Sequence, residues 1–231
     1  MNVTLELHED RADVVVKRSN GAVSSKVVSL ESIVEAFVQN QQHQIRLDFL
    51  PPGFRAYARK SREDLVALEV PEGTYSIRYL HDDYDEEYDD EPPVYEVPLP
   101  RALFFIRITR VPEGYVHRET RIFALKHPLT LPTDTVYTYP LPNHSSDVCW
   151  GAQELPTLRN LAAVQSYPSL FFNSDFNADL EYDKFEPYDK GSQRIAFMRD
   201  LLQDLNGSDE FPLDCLYSRG TFQDRWNAFI S

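Results

Sequence analysis

The stretch from Lys126 to Gly151 limits the fold more than any other part of the chain. Pro128, Pro132, Pro140 and Pro142 punctuate it, and no helical period runs through it. Proline fixes φ and removes a backbone donor, so a continuous helix does not fit there. Val136, Tyr137, Tyr139 and Leu141 are apolar or aromatic anchors, which predict an ordered loop, and long ordered loops often carry function. Near its end Pro142-Asn143 predicts a turn, and Val148-Cys149-Trp150-Gly151 sets a thiol after a short apolar step. Acyl chemistry at a thiol needs access, a donor for the developing oxyanion and a stiff backbone. The Asn143 amide can supply the donor and the prolines the stiffness. The chain has two cysteines, and Cys215, after Pro212-Leu213-Asp214 near a helix start, is read as structural.

Elsewhere apolar periodicity sets out strands first and helices last. Val3, Leu5 and Leu7 alternate, and Val14 to Val16 follow Glu9-Asp10-Arg11, which predicts a hairpin. Val23 to Val28 is a further strand. Ser29 caps a predicted helix carrying Leu30, Ile33, Val34, Phe37 and Val38, and Ile45 to Phe49 is a short strand stopped by Pro51-Pro52-Gly53. Leu65–Val70 and Tyr75–Tyr79, joined through Pro71-Glu72-Gly73-Thr74, predict a second hairpin. Ala102–Thr109 and Tyr115–Leu125 predict a third around Val111-Pro112-Glu113-Gly114. Thr157 to Val164 reads as a short helix broken at Tyr167-Pro168, and Phe171 to Phe176 as an aromatic core segment. Ile195, Met198, Leu201, Leu202 and Leu205 mark an amphipathic helix closed by Asn206-Gly207. A last helix, capped by Thr221 with Asp224 in its first turn, carries Phe222, Trp226 and Phe229 on one face. This order is that of the α+β class.

With 42% hydrophobic and 13% aromatic residues in 231, the chain has material for one large core with a modest appendage. Its formal net charge of −14 repels nucleic-acid phosphates and anionic lipid, so neither nucleic acid nor membrane is an expected partner. Basic protein surfaces complement it. The run Asp82 to Glu91, followed by Pro92-Pro93, predicts a solvated acidic loop, with docking of a basic partner as its sharper reading. It lacks the glycine turn of a calcium loop. The first ten residues lack the pattern of a secretory signal, no apolar run is long enough to span a membrane, and the two cysteines are far apart. A reducing, cytoplasmic setting with free thiols is expected, and the Asn-x-Ser/Thr matches at Asn2, Asn143 and Asn206 are read as chance. Neither CxxC nor His-x-His occurs, so no metal site is expected.

From Arg101 to Gly151 the order strand, turn, strand, proline-rich flap, Pro-Asn turn, cysteine resembles the core of the ubiquitin-conjugating (UBC) fold. Leu50-Pro51, Leu99-Pro100, Thr133, Tyr137, Asn143, Val148-Cys149-Trp150-Gly151 and Phe172-Asn173-Ser174-Asp175-Phe176 resemble, in order, the pattern of the bacterial UBC-like family D, also called PRTRC system protein B. The similarity spans roughly Leu50 to Phe176. Leu141 stands where the eukaryotic motif has histidine, with His144 as a local substitute for its bracing, and Asn177-Ala178 stand where many relatives have Thr-His.

The resemblance implies a UBC-like antiparallel β-meander with flanking helices over residues 50–180, an N-terminal β-rich extension over 1–49 and a C-terminal helical segment over 181–231. It implies that Cys149 accepts a ubiquitin-like protein as a thioester from an activating enzyme of the ThiF or ubiquitin-activating type and passes it to an amine. Asn143 would then hold the oxyanion. Asp147 ranks first, with His144 and the Ser145-Ser146 pair beside it, among groups that tune the incoming amine. No cofactor is needed at this step, since ATP is consumed by the activating enzyme. The expected setting is a bacterial or mobile-element cassette. Leu141 favours a different class, an inactive UBC-like adaptor, whereas Asn143 together with Cys149 favours the carrier. A third expectation is an unrelated α+β interaction protein that binds through its acidic loop.

Overall fold

Alternating apolar residues build a three-stranded meander at the N-terminus: β1 (Asn2–Leu7), β2 (Arg11–Lys17) and β3 (Val23–Ser29), in the order β1-β2-β3. Leu5 faces Val14 across the expected hairpin, and Val14 faces Lys26 on its other side. The computed structural model describes residues 2–7, 11–17, 22–29, 52–80, 92–145 and 147–231. The helix expected after Ser29, the strand at Ile45–Phe49 and the acidic run 82–91 lie outside them. The chain divides into two units, Met1–Phe49 and Leu50–Ser231.

In the second unit β4 (Phe54–Lys60) and β5 (Glu63–Val70) pair antiparallel. The hairpin expected between Leu65–Val70 and Tyr75–Tyr79 does not form. β5 instead pairs with β8 (Arg101–Val111), while β6 (Gly73–Leu80) pairs with β7 (Val94–Leu99). The register is continuous across the gap, since Val70 faces Ala102 and Gly73 faces Leu99. The two halves are thus one long antiparallel ribbon, interrupted opposite Pro71 and Pro100, which have no N–H to give to the ladder. The interruption lets each half take different neighbours. A Pro-Glu-Gly-Thr stretch reads as a reversal locally, but both edges of β5 are already occupied by β4 and β8.

The expected hairpin of β8 with β9 (Gly114–Leu125) is present. Gly114 has a φ of +142°, and a Cβ there would meet the Leu158 carbonyl oxygen at 2.1 Å. That close approach accompanies a pair of backbone bonds between Tyr115 and Leu158, at 2.7 and 2.8 Å. β10 (Thr135–Thr138) comes from the proline-rich stretch and adds to β9.

Downstream, α1 (Ser166–Phe172) follows a 3-10 turn at Leu161–Gln165, whose N-cap Asn160 accepts from the Ala163 N–H. Tyr167-Pro168 does not break this helix. Pro168 sits in its first turn, where N–H groups have no intrahelical acceptor, so its missing donor costs little. β11 (Phe176–Asn177) adds in parallel to β6.

The segment after residue 181 is more than helical. It contains the hairpin of β12 (Tyr188–Lys190) with β13 (Gln193–Ile195), then α2 (Met198–Leu205), β14 (Ser218–Thr221) and α3 (Phe222–Ile230). Ile195, expected on the amphipathic helix, belongs to β13. β14 pairs with β10, giving a six-stranded antiparallel sheet β14-β10-β9-β8-β5-β4. The unit is therefore α+β, with three α-helices among the described residues.

The core explains the continuous apolar run of β8. Ala102 to Ile106 are all buried. Successive strand residues point to opposite faces, so such a run needs cover on both sides. Phe104 meets Phe171 and Phe172 of α1 edge to face, with ring centroids 5.9 Å apart in each pair. Phe105 meets Trp226 at 5.2 Å and Phe229 at 5.4 Å on α3. Thr221 caps α3 by accepting the Asp224 N–H. Two buried acids sit on β5. Asp64 is reached by Arg59 (2.7 Å) and Arg110 (3.3 Å), and Glu69 by Arg55 (2.6 Å) and Arg101 (2.7 Å). Because Phe229 is fully buried, Phe229→Ala is expected to lower unfolding stability by about 3–5 kcal/mol, as measured by denaturant titration.

Candidate functional site

Asn143 adopts a φ of +60°, a left-handed conformation that asparagine tolerates better than most residues. Its carbonyl accepts the Cys149 N–H at 2.7 Å, closing residues 143–149 into a loop. Inside it His144 and Val148 form an antiparallel bridge, and the Ser145 N–H donates to the Asp147 carbonyl at 3.1 Å. The Asn143 side-chain amide donates to the Asp175 carbonyl at 2.9 Å, which ties the turn to the chain between α1 and β11.

A second set of bonds docks this loop on β9. The Val148 N–H donates to the Thr120 carbonyl at 2.6 Å. The Asp147 Oδ1 accepts from the Thr120 N–H at 2.8 Å and from the Val148 N–H at 2.9 Å. Burial raises the Asp147 carboxyl above its ordinary value, against the lowering pull of those two donors. Oδ2 takes no hydrogen bond among the described residues.

Cys149 is exposed, whereas Cys215 is buried. Its neighbours on both sides hold it outward. Val148 is buried, and Trp150 packs on His117, Tyr167 and Phe171 at centroid distances of 5.8, 6.2 and 6.4 Å. Gly151 follows with a φ of +57°, so the chain turns away at once after Trp150. The Cys215 thiol is pushed up to about 12, chiefly by burial.

His144 faces inward and is 4% exposed. Its Nε2 lies 3.0 Å from the Tyr139 carbonyl oxygen. Burial, followed by the nearby Lys184 cation, pushes the ring down to about 3, so it is neutral near pH 7, and Nε2 must carry the proton to bond a carbonyl. Lys184, itself buried, donates to the His144 carbonyl. Asn143, Asp147 and Cys149 thus lie on one closed loop, while His144 is turned to the interior. Leu141 and Tyr139 are fully buried and root the flap in the core.

Thr120 and Lys184 belong to none of the sequence motifs, and Asp175 falls inside the Phe172–Phe176 element without a role assigned to it. Thr120 and Asp175 contribute backbone groups, which leave no mark on residue identity. Lys184 is a lone lysine in an acidic segment, and only its burial distinguishes it.

Residues 30–218 match the sequence model of Prokaryotic E2 family D (Prok-E2_D). The chain belongs to this family. The match is wider than the similarity read from motifs, extending from before β4 to the start of β14. No curated protein and no solved structure matches the chain. Membership in an E2-like family implies partners of a ubiquitin-like pathway in general and makes conjugating activity a possibility. Among the described residues of this family D protein, no helix is long and apolar enough to cross a membrane.

Iodoacetamide should label Cys149 well before Cys215 under native conditions, with equal rates after denaturation, as read by peptide mass spectrometry. The folded ring of His144 titrates near 3 and the free ring near 6.5. Only the unfolded state therefore takes up the proton between those values, and stability falls as pH drops from about 6.5 toward 3. At pH 5 the His144 contribution is a loss of about 2 kcal/mol. His117, pushed down to about 4 chiefly by burial, adds a loss in the same direction. Denaturant titrations at pH 7 and pH 5 should show a smaller difference for His144→Gln than for the parent.

Proposed function

We propose that this family D member carries a ubiquitin-like protein as a thioester on Cys149 and transfers it to an amine. The observation that carries the reading is the exposed Cys149 at the end of a loop closed by its own N–H on the Asn143 carbonyl. In the first step the Cys149 thiolate attacks the carbonyl carbon of the modifier's thioester with the activating enzyme. A new C–S bond forms, and the enzyme's thiolate leaves. One thioester replaces another, so the work is positioning and charge stabilisation. In the second step an amine attacks the Cys149 thioester, loses a proton and expels the Cys149 thiolate, leaving an amide.

Asn143 suits the oxyanion in both steps. One N–H of its amide is held by the Asp175 carbonyl, which orients the group and leaves the second N–H to donate. Asp147 suits the proton. Its Oδ1 is occupied by backbone donors while Oδ2 takes none among the described residues, and burial makes the carboxylate a stronger base. His144 acts as a brace: its ring holds the flap at Tyr139, and Lys184 holds its carbonyl.

Leu141, fully buried where the eukaryotic motif has histidine, supports the rival reading of an adaptor without turnover. The expected result with ATP, the cognate activating enzyme and the ubiquitin-like protein is a thiol-sensitive adduct on a non-reducing gel, absent in Cys149→Ala. Asn143→Gly keeps the left-handed turn accessible and removes the amide, so discharge to a free amine should slow by about 10²–10³-fold. An adduct that persists in Cys149→Ala would exclude Cys149 as carrier. Co-elution with the partners and no adduct would favour the adaptor.

A further inference from the structure

Arg121, Thr138, His144, Lys184, Arg219 and Arg225 line a cleft of about 440 Å³. In a chain of net charge −14 its wall carries four cationic side chains, with Asp183 as the one carboxylate among the lining residues. Among the described residues Arg121 pairs with Glu119 at 2.6 Å, and the Asp183 charge acts on Lys184 without an ion-pair contact. Lys184, Arg219 and Arg225 form no ion pair among the described residues.

These three cations are nevertheless held in place by neutral acceptors. The Arg219 Nε donates to the Thr138 hydroxyl at 2.6 Å, the Arg225 Nε to the Arg219 carbonyl, and the Lys184 Nζ to the His144 carbonyl. The terminal nitrogens of Arg219 and Arg225 engage no protein acceptor among the described residues. Lys184 is 5% exposed, and burial together with the Arg219 charge pushes it down to about 8. Like charges are thus gathered and fixed against their mutual repulsion, an arrangement that an anion between them would relieve.

We propose that this cleft binds a small molecule through a phosphate or polyphosphate group. Guanidinium forks match phosphate oxygens in pairs, and the volume lies in the range of small-molecule sites rather than of a flat protein contact. The cleft borders the 143–149 loop, since His144 and Ser145 line it and Lys184 donates to the His144 carbonyl.

The test is isothermal titration calorimetry of the full chain at low salt, with sodium pyrophosphate and with ATP in separate arms. Saturable binding of pyrophosphate is expected, weakened at least tenfold in the Arg219→Gln/Arg225→Gln double variant. Arg194→Gln removes a cation outside the cleft, on the β12–β13 hairpin, and should leave affinity unchanged. Circular dichroism and melting of the double variant check that it is folded, and Arg219→Lys, which keeps the charge but not the fork, should bind at an intermediate level. Tighter binding of ATP than of pyrophosphate would assign a nucleotide, and equal binding a free polyphosphate, both in support. No saturable heat with millimolar pyrophosphate would overturn the proposal. Equal weakening by Arg194→Gln, or binding of a polyglutamate peptide with no response to pyrophosphate, would overturn it as well.

Discussion

Adjacent phenylalanines on one strand organise the second unit. Phe104 and Phe105 stand next to each other on β8 and so point to opposite faces of the sheet. Phe104 is covered by α1 through Phe171 and Phe172, and Phe105 by α3 through Phe222, Trp226 and Phe229. Neither helix can leave without exposing an aromatic ring. The Phe104 side also roots the candidate site. Tyr139, at the head of the flap, packs on Phe171 and Phe172, and Trp150, just after the cysteine, packs on Phe171. Both ends of the loop are thereby referred to the same buried helix.

Between those anchors the loop is held by short-range polar bonds. A neutral His144, the backbone groups of Thr120 and Asp175, one oxygen of Asp147 and the Lys184 ammonium make those bonds. These bonds hold a turn containing a left-handed asparagine partly inside the protein. They also keep the cysteine outside while its neighbours on either side are drawn in. The flap's own ring is served in the same way, since the Tyr139 hydroxyl donates to the Pro100 carbonyl at 3.3 Å, where the long ribbon is interrupted. The proline break and the flap are thus parts of one arrangement.

Much of this was legible one segment at a time. Val111-Pro112-Glu113-Gly114 announced the β8–β9 turn, Thr221 and Asp224 announced the start of α3, and the Phe171–Phe176 cluster lies in the core as its composition implied. The misreadings share a cause. Locally, Pro71 reads as a reversal and Pro168 as a stop. One interrupts a ribbon that continues in register, and the other sits harmlessly in a helix's first turn. Proline states what a residue cannot donate, and the neighbours decide whether that donor was needed. For the candidate site, Asn143 and Cys149 stand out through their motif and Asp147 through lying between them, whereas the bonds from Thr120, Asp175 and Lys184 come from distant segments.

The sequence by itself determined the class of the chain, its membership in an E2-like family, the short polar loop that ends in Cys149, and the apolar strands able to carry it. These depend on residue type and local spacing, which survive without knowledge of neighbours. Only the tertiary structure decided which strands pair, that β14 closes the six-stranded sheet, that His144 faces inward and neutral while Cys149 faces out, and that four cations from separate segments meet in one cleft of an acidic protein. Burial and charge proximity are properties of folded space, and no local pattern along the chain encodes them.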